Sequence, residues 1–184
     1  MKKSYIIALV IVALVVIYVW SGYNRFVTAN EAVDAQWQQV EVQYQRRLDL
    51  IPNLIETVKG ITKQEQDVFL KLADARANYV NAKSVDDKVR AATRVETAFA
   101  GIFALAENYP QLRSSEAFTT LMAQLEGTEN RVSVERGRFN EIVKSINTMI
   151  KKFPANILAR VFGFSEREYF DAATGAENVP QVNF

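Results

Sequence analysis

Cysteine and histidine are both missing from the 184 residues. Without cysteine there is no disulfide, thiol nucleophile, zinc knuckle or iron–sulfur cluster, and no lipoprotein-type attachment. Without histidine there is no imidazole base, no Ser-His triad and no His-ligated or Glu-x-x-His di-iron centre. Glycine is scarce: seven scattered copies make no phosphate-cradling loop. Net charge is scarce as well, with 22 Lys and Arg facing 21 Asp and Glu. A near-neutral chain lacks the basic field that nucleic-acid binding draws on, so nucleic acid is excluded as a partner class. The remaining reactive side chains show no spacing that a reaction demands. The expectation is a chain that is not an enzyme, with no cofactor, no metal and no small-molecule substrate.

Charge is absent altogether between Ser4 and Asn24, and Tyr5 to Trp20 is an almost unbroken run of Ile, Val, Leu and Ala. A helix rising ~1.5 Å per residue crosses the ~30 Å hydrocarbon core in about 20 residues, so this run predicts a membrane span. Lys2 and Lys3 precede it, as they would in an anchor or a signal peptide. The run is longer than a signal h-region and lacks a clear small-x-small site, which predicts an uncleaved anchor. Tyr5, Trp20 and Tyr23 suit the headgroup level as anchor aromatics. The Lys and Arg bias places the N-terminus in the cytoplasm and the larger part outside. The predicted organisation is an anchor over 1–24, a helical bundle domain over 25–170 and an irregular tail over 171–184.

Past the anchor the apolar period is 3.5–3.6. Val33, Trp37, Val40, Tyr44, Leu48, Ile51, Ile55 and Val58 advance by threes and fours, predicting one rod continuous with the membrane helix. Pro52 is expected to kink it and Gly60 to end it. Val68, Leu72, Ala75 and Tyr79 mark a second helix ending near Asn81. Ser84 caps the third, with Asp86 and Asp87 in its first turn and Val95, Phe99, Ile102 and Ala106 on its apolar face. The fourth carries a near-heptad seam of Phe118, Leu121, Leu125, Val132, Phe139, Ile142, Ile146, Ile150 and Phe153, stopped by Pro154. That period implies shallow crossing of antiparallel, coiled-coil-like neighbours. The fold class is all-α, an N-terminal transmembrane helix continuing into an up-down bundle of about four long helices. A short helix over 156–162 closes at Gly163, and the Ser165-Glu166-Arg167-Glu168 capping-box spacing predicts a further turn through Phe170.

The block Arg46-Arg47-Leu48-Asp49-Leu50-Ile51-Pro52-Asn53-Leu54-Ile55, with Val58-Lys59-Gly60 behind it, resembles the LemA family of bacterial membrane proteins. Matching pieces include Tyr23-Asn24, Ala75-Arg76, Tyr109-Pro110 with Leu112, and Thr128-Glu129-Asn130-Arg131. Phe139-Asn140, Asn147, Phe153-Pro154 and the closing Pro180-x-Val182-x-Phe184 extend the likeness over essentially the whole chain. The resemblance implies an anchored antiparallel helical bundle in the bacterial cytoplasmic membrane and brings no enzyme activity with it. It also implies an envelope protein or membrane protease as a partner class.

Arg46, Arg47, Asp49 and Asn53 fall within eight residues of one another, and Glu129, Arg136 and Asn140 recur at helical offsets on the fourth helix. Either these sets pair across helices as a register device, or they line a polar groove for a ligand or partner. Glu126 and Glu129 share a face but supply too few oxygens for calcium, and read as a solvated face. Phe162, Phe164, Tyr169 and Phe170 lie outside the bundle repeat, as a cover for the bundle end or a contact with another subunit. In the last four residues, Val182 and Phe184 alternate before a carboxylate, as in PDZ-type β-augmentation. The functional expectation is a membrane-anchored scaffold that meets the lipid bilayer and forms a homo-oligomer. The alternative is an adaptor of a membrane protease or envelope-stress system, recognised through its tail.

Overall fold

The computed structural model describes residues 2–57, 63–109 and 115–170. Helix α1 runs unbroken over Lys2–Leu48, followed by α2 (Ile51–Thr57), α3 (Lys63–Asn81), α4 (Val85–Asn108), α5 (Glu116–Lys151) and α6 (Ala155–Phe162). No strand occurs among the described residues.

Helix α1 does two jobs along one axis. From Tyr5 to Tyr18 its large apolar side chains stand outside the protein's own core, while Phe26, Val33, Trp37, Val40, Tyr44 and Leu48 are buried. Pro52 does more than kink the rod. A helix continued through it would drive its ring against the Leu48 carbonyl, and α1 stops at that residue. The Asp49 amide still donates to Gln45 O (3.0 Å), and the Leu50 amide closes a tighter turn on Arg47 O (3.2 Å). The chain restarts at Ile51, which places Pro52 in a first turn, where no N–H is required. Ile51 and Leu54 remain buried across the break. Val58 and Gly60 lie outside the described residues.

The helices alternate in direction. Gln36 and Glu135 meet at 2.7 Å while Arg47 pairs with Glu129, so α1 and α5 run antiparallel. Lys88 pairs with Glu41 and Arg47 with Glu96, so α1 and α4 run parallel. The short link at Ala82–Ser84 folds α3 back against α4. Ser84 Oγ accepts from the Asp87 amide at 3.0 Å, and that hydroxyl, with Arg90, holds the Asp87 carboxyl below its ordinary range.

The core has two tiers. The upper joins α1 to α5, with Trp37, Tyr44, Leu72, Val95, Phe99, Ile102, Phe118, Leu125, Val132 and Phe139 among its buried members. The lower, beside the apolar run, is formed by Phe26, Leu158 and Ala159 with Val19, Met149 and Phe164 around them. Two expectations fail here. Phe153 leaves the α5 seam, 80% exposed, because α5 ends at Lys151 and the residue lies in the turn before α6. The Ser165–Glu168 spacing caps no helix, since the chain runs irregularly from Phe164 to Phe170. Tertiary hydrogen bonds take the amides that a new turn would have used. Gly163 does close α6, at φ 76°, the left-handed conformation that glycine adopts without a Cβ penalty.

Candidate functional site: a buried ion cluster and a C-terminal clasp

Arg47 reaches the core because it follows the stripe residue Tyr44 by three positions, on the side of α1 that faces α4 and α5. It is 1% exposed, with Nη1 2.6 Å from Glu96 Oε2 on α4 and also paired with Glu129 on α5. Its guanidinium lies 4.2 Å from the centre of the Phe99 ring, a cation–π contact that shields it further. Burial pushes the Glu96 carboxyl above its ordinary range; Arg47 opposes the shift and Glu129 adds to it. Burial first, then the Glu96 charge, raise the Tyr44 hydroxyl well above the tyrosine range, and that hydroxyl closes no hydrogen bond of normal geometry. Arg136 stands 4.8 Å from the Phe170 ring centre and acts electrostatically on both Glu96 and Tyr44. Two guanidiniums thus balance two carboxylates across three helices. A tyrosine held protonated and an arginine closed off by two carboxylates tie α1, α4 and α5 together at this level.

The second part is the segment after α6. Asn147 Nδ2 donates to Arg167 O (2.9 Å) and its Oδ1 accepts from the Arg167 amide (2.8 Å). Asn140 repeats the pair on Phe170, at 3.0 and 2.9 Å. The geometry matches because two helical turns advance roughly 10 Å, and three extended residues span about the same. The Arg167 guanidinium then reaches Asn30 (2.8 Å) and Asp34 (2.9 Å) on α1 and Asp86 (3.4 Å) on α4. Glu168 bonds Asp86 through its amide and meets Arg90 at 3.1 Å. Phe170 ends the clasp inside the core, 5% exposed, its ring centre 5.9 Å from Trp37, 6.3 Å from Tyr44 and 5.5 Å from Phe139.

Of the polar residues singled out in the sequence, the structure brings Arg47, Glu129, Arg136 and Asn140 into one region. Arg46, Asp49 and Asn53 stay outside on the exposed side. Asp49 bonds locally to Gln45 at 2.9 Å, and the Asn53 carbonyl accepts from Thr57. Glu129 serves Arg47, and among the described residues no acidic cluster is set for a metal ion. Phe170 is an internal anchor instead of an exposed aromatic. Phe164 is half-buried and stacks on Phe26 at 5.0 Å, Phe162 packs edge-on to Tyr23 at 5.0 Å, and Tyr169 is exposed. Tyr5 and Trp20 are exposed along the apolar run. Val182 and Phe184 lie outside the described residues. Sequence reasoning missed Glu96, Arg167, Asn30, Asp34 and Asp86, which no local spacing links. The seven-residue repeat of Asn140 and Asn147 on one helical face was a signal that could have been used.

Among the described residues, one helix is long and apolar enough to cross a membrane, and it is α1. The model of the LemA family matches residues 36–184. The chain is also 26% identical, over 174 aligned residues, to magnetosome protein MamQ of Magnetospirillum gryphiswaldense, covering 80% of this chain and 64% of that one. It is 28% identical over 174 residues to magnetosome protein MamQ 2 of Paramagnetospirillum magneticum, with the same coverage. The chain therefore spans less than two thirds of the length of the curated relatives it matches. The continuous α1, the antiparallel α5 and the match from Gln36 to Phe184 agree: this is a membrane-associated member of the LemA family.

Proposed function

We propose that the protein is a non-enzymatic scaffold that holds partners at the bacterial cell envelope on a rigid helical bundle anchored in the cytoplasmic membrane. The observation that carries this reading is the continuity of α1 from the apolar run into the bundle core. A tether through a flexible linker would let a domain sample every orientation. A helix shared by span and core instead ties the direction of the bundle to that of the span. The charged residues with the greatest burial are spent on each other and on the clasp, which supports positioning over chemistry. The likeness to magnetosome proteins supports a shared helical architecture.

In this reading the N-terminus is cytoplasmic and the bundle lies on the far side, following Lys2 and Lys3. Alkaline phosphatase fused after Phe184 is expected to be active, and a cytoplasm-only reporter at that position silent; the reverse result overturns the orientation. Photo-crosslinking from exposed bundle positions in native membranes, read by mass spectrometry, is expected to return a discrete product. A second copy of this chain would make the scaffold a homo-oligomer, and an envelope protein would make it a mixed assembly. No discrete product from any face of the bundle would remove the scaffold reading.

A further inference from the structure

Helix α6 divides into three sectors when its residues are placed at 100° intervals. Ala155, Leu158 and Ala159 face the protein. Leu158 packs so closely on α1 that a Cβ added to Gly22 would fall 2.4 Å from its Cδ1. Asn156 and Arg160 make a polar sector. The third sector is apolar and uncovered: Ile157 is 53% and Val161 70% exposed, and the exposed Phe153 precedes Ile157 by four residues.

The level of α6 along α1 says what covers that sector. Phe162 shares an open apolar depression with Val15, Val16, Val19, Trp20 and Tyr23. Val15 lies roughly 13 Å below Asn24 along the helix axis, well inside the uncharged run. Phe153 and Pro154 share a second depression with Tyr18 and Arg25. The two ends of α6, at Phe153–Pro154 and at Phe162, therefore adjoin the surface of the apolar run, and Ile157 and Val161 stand uncovered between them. Around it stand Arg25, Lys144 and Lys152, with Glu141 as the one acid in that depression, and Arg160 on α6 itself. Apolar side chains beside a basic collar are what an interfacial helix presents to headgroups and the acyl boundary.

We infer that α6 is a second membrane contact, a short interfacial helix that lays Phe153, Ile157 and Val161 into the bilayer on the side where the bundle stands. The inference rests on the reading that α1 spans the membrane. With two contacts instead of one, rotation of the bundle about the α1 axis is fixed and a defined face of it is turned away from the lipid.

The absence of native cysteine permits single nitroxide labels on the full chain in vesicles of phosphatidylcholine and phosphatidylglycerol. Labels go on Ile157→Cys and Val161→Cys. Val10→Cys serves as a reference in the span, and Val134→Cys as a reference high on α5. All four side chains are exposed, so the fold is not at risk. Collision with oxygen relative to a water-soluble nickel chelate is expected to be several-fold higher at 157 and 161 than at 134, approaching the value at 10. Values at 157 and 161 equal to that at 134, with 10 still in lipid, would overturn the inference and leave the span intact. Protection of 157 and 161 from both reagents would also overturn it, in favour of a protein contact. A water-exposed label at 10 would remove the span reading, and this inference with it.

Discussion

Arg47 shows how a charged residue belongs in a helical core. An uncompensated buried guanidinium is costly, and its cost is met here by two carboxylates from two other helices and by the face of Phe99. The same environment makes Glu96 pH-sensitive. Its folded-state pKa is raised from the ordinary 4.5, so the folded protein holds that proton more tightly than the unfolded chain. The unfolding free energy from this group therefore falls as pH rises from 4.5 through the raised value, and is constant beyond it. Arg47 and Tyr44 on α1 and Glu129 and Arg136 on α5 are the charged or titratable groups bearing on it. Glu96→Gln keeps the shape and removes the titration. Its stability relative to the parent, from urea melts across this range, is expected to improve steadily as pH rises; parallel curves would show that Glu96 ionises freely in the fold.

At the scale of elements, the stretch from Phe164 to Phe170 works as a structural member without being a helix or strand. Asn140 and Asn147 offer both edges of their amides two turns apart, and the extended chain fills that spacing. Since each asparagine satisfies one amide and one carbonyl, Asn147→Ala leaves the N–H and C=O of Arg167 without those partners. The expected loss is about 1–3 kcal/mol in a chemical melt. A larger local effect is expected in hydrogen exchange, with the Arg167 and Phe170 amides losing protection before those of α5 near Phe139. Unchanged exchange in Asn147→Ala would mean that Arg167 and the Phe170 ring hold the clasp unaided.

For the whole molecule, the two tiers of the core differ in what they depend on. The upper tier is closed by helices α1 through α5 and Phe170. The lower tier needs Val19, Gly22 and Tyr23, residues of the apolar run or its edge. A fragment beginning at Arg25 is expected to keep a cooperative melt, because Val33 and everything above it remain. Its α6 amides are expected to exchange much faster than in the full chain, while those from Val132 to Ile146 stay protected. If α6 stays as protected as in the full chain, the lower tier stands without the span.

The long apolar helix, the stripe from Val33 to Ile51, the α5 seam from Phe118 to Ile146, the Ser84 cap and the Gly163 stop were all legible in the sequence. Each is set by chemistry within a turn or two: periodic burial, a side-chain oxygen over free amides, a residue without Cβ. The site was legible only in part, because Arg47, Glu129, Arg136 and Asn140 could be flagged as polar residues on helix seams, but their partners could not. Glu96 comes to Arg47 across 49 residues, and Arg167 to Asn30 across 137. No local pattern encodes such pairings. They also overrode one local signal, since the Ser165–Glu168 spacing lost to the asparagine amides of α5, and they drew Phe170 inward, where Trp37, Tyr44 and Phe139 left it a place. The level of α6 against the apolar run was likewise decided in three dimensions, by the side chain missing at Gly22, which lets Leu158 close on α1.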